Sequence, residues 1–300
     1  MIKALTNSIG TAVLVSAMII LGFWFFLNPT DTSLLIKSVL LLGEGLLLNY
    51  FCFRFGIIGQ KTQLPLVLFS ILSVLIVADL SYSDLIYGAV WLGAFFLAYE
   101  GRENPEKSIN YMVYFGILLG IAQTVNNISI LLIIPVFILF IQNGTRSPRG
   151  FFLSLMYFVM VVLAYIGVLY VMEITDKIWD LIPSLSFDYS VFNSVLIKLF
   201  LPFVVLMTVF HFLGLNSYQF RYPNKSKILN YTMLIQLGIS VILILVTAEL
   251  NVLIYAVMAL SIILSFMFSY KSGNVFLNAA FASLICIAAC SLYLYKILIL

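Results

Sequence analysis

The chain has 300 residues, of which 63% are hydrophobic and 9% charged, with a formal net charge of +3. Soluble domains carry about a quarter charged residues, so this composition excludes a water-soluble enzyme and points to a polytopic membrane protein. The period-two alternation of an outer-membrane barrel is missing, and no polar stretch is long enough to house nucleotide hydrolysis or a large extramembrane active site.

The expected fold is therefore all-α, a transmembrane helix bundle forming a single membrane domain over 1–300. Breaks at clusters of charge, Pro, Gly and Asn predict eleven helices, near 8–27, 34–53, 63–78, 85–99, 109–123, 128–142, 151–172, 194–214, 228–247, 252–269 and 274–295. Most approach the roughly 20 residues an α-helix needs to cross the hydrocarbon. The first follows a short tail with Lys3 and is read as retained, because its apolar run exceeds a signal-peptide core and Asn28-Pro29-Thr30-Asp31 offers no small-x-small cleavage site. The third to sixth runs are short and tightly joined, so a re-entrant pair is the alternative there.

Charge sets the orientation, since Lys and Arg collect in cytoplasmic loops. With the N-terminus inside and the C-terminus outside, eleven of the 15 basic residues are cytoplasmic: Lys3, Arg54, Lys61, Arg102, Lys107, Arg146, Arg149, Arg221, Lys225, Lys227 and Lys271. Lys37, Lys177, Lys198 and Lys296 remain outside, where most of the acids also fall. Basic inner loops suit the anionic head groups of the inner leaflet and imply no nucleic acid.

The longest outer loop is 173–193. In it Ile174, Ile178, Leu181 and Ile182 recur at helical spacing beside Trp179, and Pro183 follows, which predicts a short amphipathic helix at the interface.

Glu44 is the one acid placed well inside an apolar run, in Leu-Leu-Gly-Glu-Gly-Leu-Leu-Leu. A carboxylate at bilayer depth costs a few kcal/mol and turns toward the bundle interior or a water-filled cavity. Lys37, seven residues earlier, falls within about 20° of the same helix face, and its stem can carry the ammonium outward. Gly43 and Gly45 flank the acid and permit close approach of a neighbouring helix or a substrate. Two roles fit: a proton-coupling or substrate-binding carboxyl, or an acid that ties helices together with Gln236, at similar depth in the ninth run, as partner.

Other residues carry less. Asp31, Asp79 and Asp84 in the outer loops are the acids that a glycosyltransferase using lipid-linked sugar would need for general base work, but their loops are short. His211 is the only histidine, and Cys52, Cys286 and Cys290 lie in or at the ends of apolar segments, so neither a zinc set nor a disulfide framework is expected. No metal site and no cofactor follows from the motifs. Pro135 and Pro202 predict kinks in the sixth and eighth helices. Asn-x-Thr/Ser at Asn143 and Asn224 falls on the inner side, as chance matches.

Leu-Asn-Tyr-Phe-Cys-Phe-Arg-Phe-Gly-Ile-Ile-Gly-Gln-Lys-Thr (48–62), followed by two short spans and the charged loop at Glu100 to Lys107, resembles a family of multi-pass inner-membrane proteins from Bacteroidota whose own function is not established. The likeness covers residues 1–170 and implies an inner-membrane location in a Gram-negative envelope. It supplies no catalytic residue. The leading expectation is a protein of envelope biogenesis or transport that handles a polar or lipid-linked substrate in a central cavity near Glu44. The competing expectations are a non-catalytic subunit that anchors a membrane protein partner, and a membrane glycosyltransferase.

Overall fold

The computed structural model describes residues 8–58, 62–74, 76–77, 80–125, 148–181, 202, 205–206, 208–209, 224–247, 252–270 and 275–299. Among them lie nine α-helices, two 3₁₀ turns and no strand. The helices are α1 (Ile9–Leu27), α2 (Thr32–Arg54), α3 (Leu64–Ser73), α4 (Tyr82–Glu103), α5 (Ser108–Val125), α6 (Pro148–Val171), α7 (Asn224–Thr247), α8 (Leu253–Tyr270) and α9 (Val275–Ile299). The described residues are thus helix and turn throughout, and α1, α2, α5, α6 and α7 are each long and apolar enough to cross a bilayer, as the helices of a membrane protein are. The predicted helix over 128–142, with Pro135, lies outside the described residues, as does most of 194–214, with His211.

Two compact units form, Met1–Leu85 with Asp188–Leu300, and Ile86–Phe187. In the first, α3 and α8 are buried on every side. A helix that is apolar all round belongs inside a bundle. Helices α1 and α2 pack on each other and on α3, α8 packs on α3 and α7, and α9 reaches α1 and α3. The rings of Phe268 and Phe281 meet edge to face at 5.5 Å where α8 meets α9.

Local sequence explains the helix ends. Asp31 caps α2, its carboxylate accepting from Leu34 N–H at 3.1 Å. Trp24 Nε1 donates to Asp31 O at 2.9 Å, which closes the α1–α2 hairpin. At the far end of α2, Gly56 takes φ 59°, Ile57 N–H reaches Cys52 O and Gly56 N–H reaches Phe53 O, a Schellman stop that favours glycine at this position. Ser81 and Asp84 exchange bonds before α4: Asp84 N–H donates to Ser81 Oγ at 3.2 Å and Ser81 N–H to the Asp84 carboxylate at 2.8 Å. This reciprocal box starts α4 at Tyr82, three residues ahead of the predicted 85.

The third predicted helix, 63–78, is shorter than expected. It stops at Ser73, where Ser73 Oγ bonds Ser70 O and the N–H groups of Ile76 and Val77 both turn back to Ser73 O. Serine hydroxyls that bond the preceding turn, followed by β-branched residues, weaken helix continuation. Ten residues make about 15 Å, half the hydrocarbon thickness. Yet the segment still traverses most of α2. Gln63, before α3, accepts a buried hydrogen bond from Asn49 near the Arg54 end of α2, while Tyr82 OH donates to Ser33 Oγ at 2.8 Å at the Asp31 end. From Gln63 the run is helical to Ser73 and turns at Val74, Ile76 and Val77, and Val74, Ile76, Val77 and Leu80 are buried.

In the second unit α5 and α6 pack along a glycine seam. A Cβ on Gly116 would lie 2.2 Å from Ser154 O, and one on Gly120 2.6 Å from Val161 Cβ. Most of the outer surface of α6 is exposed and apolar, as on a helix facing lipid. Past α6 the chain turns at Glu173, φ 58°, with a second Schellman pair from Ile174 N–H to Leu169 O and Glu173 N–H to Tyr170 O. The predicted amphipathic α-helix of the outer loop is instead a 3₁₀ turn, Thr175–Leu181. At three residues per turn Ile178 and Leu181 align as its half-buried side, Gln123 Nε2 holds Leu181 O at 3.0 Å, and Trp179 stands 74% exposed.

Candidate functional site

The buried face of α2 runs Leu34, Ser38, Leu41, Glu44, Gly45, Leu48, Asn49, Phe51 and Cys52, a stripe at helical spacing. Glu44 is 3% exposed, and neither carboxylate oxygen has a hydrogen-bond partner. Such a group carries its desolvation cost without the offsetting bond that buried polar atoms nearly always find.

The two glycines beside it differ. A Cβ on Gly45 would meet Phe69 Cδ1 at 2.9 Å and Leu66 Cδ1 at 3.1 Å, so α2 and α3 touch there closely. A Cβ on Gly43 would meet nothing within 4 Å. The expected close approach occurs at Gly45 and is absent at Gly43.

Lys37 is half-buried and turned toward the Asp31 end, its Nζ 5.7 Å from the centre of the Tyr82 ring. That is cation–π range. The ammonium therefore serves the junction of α2 with α4 and makes no hydrogen bond with Glu44, although the two share a face.

Gln236 is 2% exposed on α7, in a buried stripe with Thr232 and Ser240. Its Oε1 has no hydrogen-bond partner, so the sequence-based pairing with Glu44 is not made. Of the three acids expected in outer loops, Asp31 and Asp84 cap helices, and Asp79 lies outside the described residues. Caps hold their carboxylates against backbone N–H groups, which leaves these two less suited to a general base role. Among the described residues no three His, Cys, Asp or Glu side chains gather.

Sequence reasoning passed over Ser16. It is fully buried on α1, in the stripe Ala12, Ser16, Ile20, Phe23, and its hydroxyl has no hydrogen-bond partner. Counting outward from the α1–α2 turn at 28–31, Ser16 lies about 20 Å and Glu44 about 22 Å along their helices. The hairpin thus sets both at one level. The Gly45 contacts with Leu66 and Phe69 put the middle of α3 at that level too, and α1 packs on α3. The signal was legible, since a polar residue mid-run in one arm of a hairpin can be matched by counting from the turn. Glu44 and Ser16 are thus a buried carboxyl and a buried hydroxyl, each without a hydrogen-bond partner, at matching distances from the turn that joins their helices.

Against protein-family models, curated proteins and solved structures alike, the chain finds no match.

Proposed function

We propose that this chain is a multi-pass inner-membrane protein that handles a small polar or lipid-linked substrate of the envelope, with Glu44 as the contact that recognises or couples to it. The observation that carries the reading is the unsatisfied Glu44 carboxyl. An acid retained only to hold helices together would be hydrogen-bonded to them. One kept without a partner at bilayer depth is a cost that a transported or processed ligand offsets when it binds. The interruption of α3 at Ser73 supports the same reading, because discontinuous helices near the bilayer midplane are where transporters build binding sites. The capping roles of Asp31 and Asp84 count against the glycosyltransferase alternative.

Glu44→Gln tests this by native mass spectrometry from gentle detergent. Wild type is expected to retain a small polar or polyprenyl-linked molecule, and the variant to lose it at equal protein abundance. A stoichiometric protein partner held equally by both would favour the anchoring-subunit reading instead.

The proposed topology has eleven spans, the third broken, with the N-terminus cytoplasmic and the C-terminus periplasmic. Reporter fusions at Thr30 and Ser81 should report the periplasm and fusions at Gly56 and Asn104 the cytoplasm. Identical reports from Gly56 and Ser81 would mean that 56–81 does not cross.

A further inference from the structure

We infer that Lys37, Ser33 and Tyr82 form a binding site for the phosphate group of a membrane lipid, at the Asp31 end of α2. The inference goes beyond the proposed role of Glu44 and does not depend on it.

Measured contacts bring the three side chains together. Lys37 Nζ stands 5.7 Å from the centre of the Tyr82 ring, and Tyr82 OH donates to Ser33 Oγ at 2.8 Å while lying 3.2 Å from Ser33 O. Ser33 and Lys37 are four residues apart on α2 and so neighbours on one face. Tyr82 thus fixes the hydroxyl and flanks the ammonium. With its oxygen accepting from Tyr82, the Ser33 hydroxyl keeps its own proton to donate, and the lysine adds three N–H donors.

No carboxylate balances this cation. Among the described residues Lys37 makes neither an ion pair nor a hydrogen bond. Asp31 and Asp84 are engaged as caps, accepting from Leu34 N–H and from Ser81 N–H and Oγ. Helices α1 and α3, which pack against α2, carry no charged residue. A cluster of donors takes an acceptor-rich anion, and phosphate accepts several charge-assisted bonds at once. Basic pockets on membrane helices bind lipid phosphates in this way.

Depth selects a lipid as the carrier. Lys37 lies six residues past Asp31, about 9 Å along the helix axis, on the bilayer side of the level where Trp24 Nε1 meets Asp31 O. Indole rings of that kind sit among head groups. On the same side of α2, Ile36 and Leu40 are 51% and 38% exposed, an apolar track for acyl or prenyl chains beside the cation. A free phosphate ion has no chain to lay along it.

Native mass spectrometry of the full-length chain in neutral detergent tests the site, with dioleoyl phosphatidylglycerol, a polyprenyl phosphate, dioleoylglycerol and inorganic phosphate as separate probes. Wild type is expected to retain both phosphorylated lipids and to hold the other two at least about tenfold less. Lys37→Met should weaken retention of the phosphorylated lipids by about tenfold, as for one lost charged contact. Ser33→Ala should weaken it less, and Lys37→Arg should keep it. Lys177→Met, which removes an exposed lysine of the 3₁₀ turn, should leave it unchanged. Glu44→Gln should hold dioleoyl phosphatidylglycerol as wild type does, which separates this site from the one proposed at that carboxyl. Preference for the polyprenyl phosphate would make the ligand a lipid-linked substrate, and equal or greater retention of phosphatidylglycerol would make it a bilayer phospholipid. Undiminished retention in Lys37→Met, an equal loss in Lys177→Met, or dioleoylglycerol or inorganic phosphate held as well as the phosphorylated lipids would overturn the inference. Should Lys37→Met not fold, retention equal to wild type in Ser33→Ala overturns it.

Discussion

Gly116→Ala is expected to lower stability by about 3 kcal/mol, at the upper end of overpacking costs, and to reduce the yield of folded protein. The added Cβ would sit 2.2 Å from Ser154 O, 2.9 Å from Ser154 C and 3.0 Å from Ser154 Cα. All three are backbone atoms, so no side-chain rotation relieves the overlap. Helix α6 must move away from α5 by about 1 Å to restore ordinary contact, and dispersion falls off steeply over such a gap. In lipid that loss matters more than in water, because helix association there depends on close packing with little hydrophobic drive. Gly167→Ala on the same α6 is the control: its Cβ would meet nothing within 4 Å, so the change should be neutral or mildly stabilising through helix propensity. Thermal unfolding of both variants in detergent checks the contrast. Equal midpoints would mean that the α5–α6 seam is not packed as described.

Phe69→Ala is expected to cost about 3–5 kcal/mol, as for a buried aromatic truncated in a core that cannot collapse. Phe69 is wholly buried on α3, and its ring edge occupies the space into which a Cβ at Gly45 would project. Gly45→Ala alone should be mildly destabilising, since Phe69 and Leu66 are side chains that can yield. In the Phe69→Ala background the same change should be stabilising, because it fills part of the vacated space and gains helix propensity. The sign reversal is a double-mutant coupling that only neighbouring residues show. Additive effects would mean that α2 and α3 do not touch at Gly45 as described.

Much of the fold was legible because apolar runs and their punctuation are strong signals. The observed Ile9–Leu27, Thr32–Arg54 and Asn224–Thr247 lie within a few residues of the predicted bounds. The break after Ser73 was not legible, since Val-Leu-Ile-Val continues the hydropathy of the run while serine back-bonding and β-branching end the helix. Hydropathy reports depth and says nothing of whether the backbone there stays helical. The 3₁₀ turn at Thr175–Leu181 was missed for a related reason: Ile174, Ile178 and Leu181 fit a spacing of three or four equally, and so short a segment leaves the periods unresolved. Gly116-x-x-x-Gly120 is a visible packing signal, but the sequence does not name Ser154 and Val161 as what it packs against.

At the site, Glu44 was conspicuous as a charge in an apolar run, and its burial followed. Its lack of partners did not. Shared helix face pointed to Lys37 and similar depth pointed to Gln236, yet Tyr82 at the start of α4 offers the lysine a ring at its own end of α2, and α7 packs on α8 while α2 packs on α3. Contacts between non-adjacent helices decide both outcomes, and a single sequence does not encode them visibly.

The central claim is that Glu44 is kept for a ligand and not for cohesion. The most direct measurement is the thermal unfolding midpoint of Glu44→Met against wild type in detergent, after exhaustive detergent exchange has stripped wild type of any retained ligand, which would otherwise raise its midpoint. Methionine nearly matches glutamate in volume and brings no unsatisfied polar atom, so relief of the unpaired carboxyl, about 1–3 kcal/mol for such groups, should leave the midpoint at or above that of wild type while ligand retention is lost. A midpoint several degrees below wild type, with reduced protein abundance, would show that the carboxyl holds the bundle together and would contradict the account.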